Sequence, residues 1–116
     1  MRILLILSRP PFDGTDAAWN VLRFAQTARK VGHDVRLFLL NAAVDLARPA
    51  VAPPGTEFNL AEMLRELVRG GAEARLCGTC LTRFGIAAGQ TIPEAPAGKM
   101  VDLVEWTAWA DRVVTF

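Results

Sequence analysis

Two apolar runs near the N-terminus are the features that most constrain how this chain folds. Residues 2–8 read RILLILS and residues 34–40 read DVRLFLL, so neither run alternates regularly between polar and apolar side chains. Runs of this kind are typical of strands buried on both faces of a parallel sheet. Between them, the turn-forming stretch 13–16 (DGTD) predicts the start of a helix, and Gly32 predicts its end. Residues 2–40 are therefore expected to form a βαβ unit with a right-handed crossover.

The rest of the chain continues this alternation of helices and strands. Helices are predicted over residues 59–69, 78–85 and 100–110, and strands over residues 73–77 and 112–116. The connecting segments are predicted to be a short helical turn at 42–48, a proline-rich loop at 48–55, and an irregular stretch at 89–98 with room for one short strand. The pattern indicates one α/β domain over residues 1–116, folded as a three-layer α/β/α sandwich with a mostly parallel four- to five-stranded sheet.

Composition excludes several classes of function. Thirteen basic and twelve acidic residues give a net charge of +1 without charged blocks, which argues against a nucleic-acid partner. The apolar run at 3–7 is shorter than the roughly 7–15 residues of a signal-peptide core, and none approaches the roughly 20 of a membrane span. A cytoplasmic protein with no membrane partner is expected. The loop at 8–15 also lacks the glycine spacing of a nucleotide-binding loop, and no cofactor is predicted.

The two cysteines of the chain, Cys77 and Cys80, form a CxxC motif directly after the predicted third strand. Open parallel sheets bind ligands at the carboxyl ends of their strands, where the loops at 8–14 and 41–44 are also expected. A thiol at the start of a helix near Arg83 is in a setting that favours the thiolate. We therefore hypothesise that at least one of the two cysteines has a lowered pKa.

Two other interpretations of the motif remain. The cysteines can simply be small, buried packing residues. A zinc site is disfavoured, because structural zinc usually takes four ligands and the chain offers only His33 besides the two cysteines. His33 is itself predicted to be a surface turn residue, and no metal site is expected.

Four segments, in order and covering nearly the whole chain, carry a recognisable pattern. They are PPFDGTDAAWNVLRFA, GHDVRLFLLNAAV, FNLAEMLRELVRGGAEARLCGTCLTRFGI and GKMVDLVEWTAWADRVVTF. Together they resemble the DsrE/DsrF-like family. The resemblance implies an α/β sandwich that assembles into homo-oligomers, often trimers or hexamers and sometimes dimers. It also implies a sulfur-relay role, in which a cysteine accepts a persulfide and passes the sulfur on.

The resemblance distinguishes the two cysteines from each other. In better-studied relatives the sulfur-accepting cysteine follows the third strand, eight residues before a glycine that ends a short helix; Cys77 and Gly85 have this spacing. Cys80 corresponds to the additional cysteine of a CGTC-bearing subgroup. Two positions depart from the family pattern: Phe12 stands where relatives often carry Tyr, and Ala42 where they often carry an acid.

The functional prediction is a persulfide carrier or sulfurtransferase-like subunit. Cys77 and Cys80 are the predicted reactive residues, and the anionic sulfur is expected to be stabilised by Thr79, Arg83 and Asn41. Its partners would be sulfur donor and acceptor proteins and further copies of the chain. The alternatives are a thiol–disulfide redox or sensing protein and a non-catalytic oligomeric module.

Overall fold

The computed structural model describes all 116 residues and contains a single parallel sheet. Its five strands are β1 (Arg2–Leu7), β2 (Asp34–Leu39), β3 (Glu73–Cys77), β4 (Ala97–Gly98) and β5 (Arg112–Thr115), in the order β4-β3-β2-β1-β5. All four strand pairs are parallel, so every carboxyl end lies at the same edge. The predicted α/β sandwich with a mostly parallel sheet is confirmed.

Four α-helices and two short 3₁₀ helices connect the strands. The α-helices are α1 (Ala17–Lys30), α2 (Leu60–Arg69), α3 (Gly78–Arg83) and α4 (Met100–Trp109), and the 3₁₀ helices span Asn41–Ala47 and Pro49–Val51. The sheet grows outwards from β1 to β4 and then returns to the other side of β1 for β5. Because parallel crossovers are right-handed, α1 and α4 lie on opposite faces and produce the three layers.

The core explains why the two apolar runs become central strands. Leu4, Leu5 and Leu7 of β1 are fully buried, and Leu37 and Leu39 of β2 are buried beside them in register. The two faces of these strands are covered by different helices, so apolar side chains are favoured at both odd and even positions. A core cluster of 29 buried residues results, and no buried side-chain nitrogen or oxygen lacks a hydrogen-bond partner.

The face that carries α4 combines aromatic and basic side chains. Trp106 of α4 packs edge-on against the buried Phe38, with ring centroids 6.0 Å apart. Arg36 of β2 lies over the ring of Trp109, with its guanidinium carbon 4.0 Å from the ring centroid. The arginine therefore stays half-buried beneath the helix, because its charge meets the face of an aromatic ring.

Some predicted boundaries shift by a few residues. The stretch at 13–16 forms the turn before α1 rather than its start: Asp13 bonds Thr15, and the side chain of Asp16, the N-cap residue, makes no capping hydrogen bond. Asn59 does cap α2, accepting a hydrogen bond from the amide of Glu62 at 3.1 Å. The short strand expected within 89–98 is β4.

None of the helices combines the length and apolar character needed to cross a membrane.

Candidate functional site

The CxxC motif lies where β3 passes into α3, at the carboxyl edge of the sheet. Cys77 is the last residue of β3 and the N-cap of α3, and it is buried, with 8% of its surface exposed. Cys80 lies on the first turn of α3 and is half-buried. Both cysteines are free thiols. The sheet thus presents two neighbouring sulfur atoms at the edge where parallel sheets bind ligands.

The glycine of the motif has a packing role. Gly78 lies against β4, and a Cβ atom at this position would stand 3.0 Å from the carbonyl oxygen of Gly98. Gly98 is itself tightly packed, because a Cβ there would meet the side chain of Arg75 at 3.1 Å. The two glycines allow the short edge strand β4 to approach the start of α3 closely, which fixes one side of the cysteine site.

Each of the two sulfur atoms accepts a hydrogen bond from a backbone amide. The amide of Cys80 donates to Sγ of Cys77 at 3.2 Å, and the amide of Asn41 donates to Sγ of Cys80 at 3.2 Å. Amide donors of this kind stabilise negative charge on an acceptor. Asn41 follows β2 closely, whereas the cysteines follow β3, so this contact joins the loops of two adjacent strands.

Asn41 adopts an unusual backbone conformation to make this contact. Its φ is 53°, and it is the one residue other than glycine with positive φ in the chain. This left-handed region is disfavoured for residues with a Cβ atom, although Asn tolerates it better than most. Such strained positions are concentrated at functional sites. Here the conformation accompanies the contact between the Asn41 amide and Cys80.

The surroundings of Cys80 shift the pKa of its thiol. The pKa of the Cys80 thiol is raised, first because the group is partly buried and second because it hydrogen-bonds with Cys77. The Asn41 amide and the charge of Arg83 act in the opposite direction but do not outweigh these two causes. Cys80 is therefore not a cysteine with a lowered pKa, since desolvation disfavours its thiolate. Cys80 therefore stays protonated at neutral pH.

The other predicted anion-stabilising residues do not contact either sulfur through a hydrogen bond. Thr79 is exposed and its side chain makes no hydrogen bond; it lines a shallow groove of about 390 Å³ that also includes Lys99. Arg83 is exposed on the last turn of α3 and acts on Cys80 only through its charge. Of these three residues, Asn41 alone bonds a sulfur, and it does so through its backbone.

Nothing in the arrangement resembles a metal centre. No three side chains of His, Cys, Asp or Glu come together in a way that would hold an ion. His33 lies in the turn before β2, at the opposite edge of the sheet from the cysteines, and its Nδ1 atom is 2.7 Å from the N-terminal amine.

Sequence reasoning missed two contributors to the site. Gly98 ends the stretch predicted to be largely irregular and Lys99 follows it, yet Gly98 packs against the motif and Lys99 borders the groove beside Thr79. The spacing of Lys99 and Asp102 is the sequence signal that could have located this region. The Asp102 carboxylate accepts a hydrogen bond from the Lys99 amide at 2.7 Å, and α4 begins at the next residue after Lys99.

Comparison with known proteins identifies the family. The model of the DsrE/DsrF-like family matches residues 1–116. The chain belongs to this family. E. coli YchN is 32% identical to it over 117 residues, with 99% of this chain and 98% of YchN covered. The crystal structure of the E. coli protein superposes with a TM-score of 0.90 and covers 100% of this chain and 99% of that chain.

Archaeal relatives are equally similar in sequence. The uncharacterized protein MJ0989 of Methanocaldococcus jannaschii is 33% identical over 116 residues, and the match covers the full length of both chains. The uncharacterized protein MK0008 of Methanopyrus kandleri is 32% identical over 114 residues, which is 98% of this chain and 93% of the relative. The resemblance inferred from the four sequence segments is therefore confirmed at the level of the family.

Proposed function

We propose that the protein is a persulfide carrier, or a sulfurtransferase-like subunit, in which Cys77 accepts the sulfur. The observation that carries this proposal is the position of the Cys77 sulfur, at the carboxyl edge of the sheet and bonded by the Cys80 amide at 3.2 Å. Backbone amide donors stabilise negative charge on an acceptor, so this amide is suited to bond a sulfur that reacts as a thiolate. The family membership supports a role related to sulfur relay.

The proposed transfer is a thiolate exchange reaction. The Cys77 thiolate attacks the outer sulfur of a donor persulfide R–S–SH, the S–S bond of the donor breaks, and R–S⁻ leaves. Cys77 then carries the group S–SH. An acceptor thiolate attacks that outer sulfur in turn, forms its own persulfide and releases the Cys77 thiolate, so no net oxidation or reduction occurs.

Cys80 is given a supporting part in this scheme. Its backbone amide bonds the Cys77 sulfur at 3.2 Å, and its thiol, with a pKa raised chiefly by burial, remains protonated at neutral pH. Were Cys80 to ionise, its thiolate would attack the inner sulfur of the loaded Cys77, form a Cys77–Cys80 disulfide and release hydrosulfide. The burial that raises the pKa of Cys80 therefore protects the carried sulfur from premature loss.

Intact-protein mass spectrometry tests the proposal. After incubation with a small-molecule persulfide donor and removal of excess reagent, the wild-type protein should gain the mass of one sulfur atom. The Cys77→Ser variant should gain none, whereas Cys80→Ser should load sulfur at Cys77. Loading of Cys77→Ser would transfer the accepting role to Cys80, and no loading of the wild type would refute the proposal.

A thiol–disulfide function is the second candidate, and the observation that favours it is the pair of free thiols at the start of α3, where the Cys80 amide lies 3.2 Å from Sγ of Cys77. With a disulfide oxidant, Cys77 would form a mixed disulfide and Cys80 would displace it, giving the internal disulfide and two released thiols. A reversible internal disulfide with a defined potential, in a protein that takes up no persulfide sulfur, would favour this function.

The proposed setting is a homo-oligomer in the cytoplasm, with a sulfur donor and a sulfur acceptor protein as partners. Free thiols fit a reducing compartment. Self-association is supported by apolar side chains on the outer side of α4, where Met100, Val101 and Val104 are 61%, 55% and 61% exposed. Exposed apolar surface of this kind is typical of a protein interface.

A further inference from the structure

A cavity distinct from the cysteine site lies between the loop after β1 and the segment that leads into α2. Its volume is about 520 Å³, which is within the range of small-molecule sites. The residues that determine its chemistry are Phe12, Asp16, Trp19, Glu57 and Phe58. Neither cysteine lines it, so its occupant need not be the sulfur compound that Cys77 is proposed to carry.

Aromatic rings form a large part of its wall. Trp19 and Phe58 stack with centroids 4.9 Å apart and an angle of 23° between their planes. Phe12 and Phe58 are 37% and 41% exposed, so their rings are accessible to a ligand. The electron-rich faces of such rings attract cations. Trp19 is already engaged by Phe58 and by Arg23, whose guanidinium carbon lies 4.2 Å from its ring centroid, so the rings open to a ligand are those of Phe12 and Phe58.

The charged residues of the cavity are both acidic. The carboxylates of Asp16 and Glu57 take part in no ion pair and no side-chain hydrogen bond, although Asp13 close by bonds Arg9 and Thr15. No basic side chain lines the cavity. Unpaired carboxylates beside accessible aromatic rings favour a positively charged ligand and disfavour an anionic one.

We propose that this cavity binds a small organic cation in which an ammonium or quaternary ammonium group is joined to an apolar body. The cationic group lies against the aromatic rings and near the two carboxylates, and the apolar body fills the remaining space. The proposal depends on the cavity and its rings together with the acids, and it is independent of sulfur transfer.

Calorimetric titration with three probes of similar size tests this site. Benzyltrimethylammonium is the cationic probe, benzyl alcohol the neutral one and benzoate the anionic one, all at the same ionic strength. The cation should bind saturably and at least about tenfold more tightly than either other probe, a difference of about 1.4 kcal/mol. Equal affinity for benzoate, or no saturation with the cation, would overturn the proposal.

Paired variants locate the binding. The double variant Asp16→Asn with Glu57→Gln should lose about tenfold in affinity for the cation and leave binding of benzyl alcohol unchanged. The matched control is Glu66→Gln with Glu105→Gln, two exposed acids outside the cavity, which should bind as the wild type does. Asp16 makes no capping hydrogen bond, so its replacement should leave α1 folded. Unchanged cation binding by the cavity variant would refute the assignment.

The same titration separates this site from the cysteines. The Cys77→Ser variant should bind the cationic probe with wild-type affinity, because Cys77 does not line the cavity. A large loss of affinity in that variant would show that the probe occupies the cysteine site instead and would overturn the proposal.

Discussion

At Asn41 the backbone, rather than the side chain, reaches the cysteine site. The amide contact with Cys80 requires only the left-handed conformation, so the identity of the side chain affects stability more than the contact. Asn41→Gly should retain the hydrogen bond and match or exceed the stability of the wild type. Asn41→Val should lose about 1–2 kcal/mol of unfolding free energy, because a β-branched residue opposes this conformation.

Urea unfolding of the two Asn41 variants checks this prediction, with alkylation of Cys80 as a second measurement. The glycine variant should show the wild-type alkylation rate. If Asn41→Gly were as destabilised as Asn41→Val, the side chain would have a role that the backbone contact does not explain.

The Cys80 thiol should make stability depend on pH in the alkaline range. Its pKa is higher in the folded protein than its ordinary value of 9.0, chiefly because of burial. At pH values below 9.0 the thiol is protonated in both states and the stability of the folded protein is not reduced. As pH rises through the folded pKa, ionisation favours the unfolded state and the free energy of unfolding falls. The Cys80→Ser variant should lack this component of the alkaline loss of stability, as measured by urea unfolding between neutral pH and the alkaline limit. Identical pH profiles for the two proteins would contradict the assignment.

At the level of secondary-structure elements, the junction of β4 with α3 leaves little room for a larger side chain. Adding a methyl group in Gly78→Ala forces the new Cβ against the carbonyl oxygen of Gly98. We expect a loss of about 1–3 kcal/mol in unfolding free energy, as is typical of overpacked sites. Thr79→Ala, one residue further along α3 and exposed, is the control and should change stability little. A wild-type denaturation midpoint for Gly78→Ala would show that β4 adjusts freely.

The elements that sequence alone predicts best are those whose patterns depend on local or periodic signals. The runs in β1 and β2 are apolar because both faces are buried, and Asn59 has the side chain that capping α2 requires. The edge strand β4 has two residues and no such pattern, so only its pairing with β3 defines it. The cysteines could be placed at the carboxyl edge of the sheet because β3, which ends at Cys77, could itself be predicted from the sequence.

Tertiary structure decides what the sequence leaves open at the site. The positive φ of Asn41 and its contact with Cys80 join segments 39 residues apart, and no local spacing encodes them. The pKa of Cys80 depends on how deeply α3 buries the thiol, which outweighs the nearby charge of Arg83. Sequence spacing shows the charge of Arg83 near Cys80 but not the burial of the thiol, so the direction of this pKa shift could not be predicted for Cys80 from the sequence.

At the scale of the whole molecule, the exposed side of α4 stands out because it carries large apolar side chains. Val101 and Val104 lie one turn apart and point outwards together. If this surface contacts a second copy, Val101→Lys with Val104→Glu should shift the wild-type oligomer towards monomer in light-scattering measurements. Glu66→Lys, an exposed change on α2 and away from this surface, is the control and should keep the wild-type mass. A monomeric wild-type protein would contradict the expected assembly.

The link from Asn41 to Cys80 has a spectroscopic consequence. The NMR chemical shift of an amide proton that is hydrogen-bonded to sulfur depends on the charge and bonding of that sulfur. The Asn41 amide signal therefore indicates the chemical state of the cysteine pair. In a ¹⁵N-labelled sample, persulfide loading or disulfide formation should move this one signal by more than those of its neighbours on the loop. Sulfur chemistry after β3 can thus be followed in real time from a residue after β2, without a label on either cysteine.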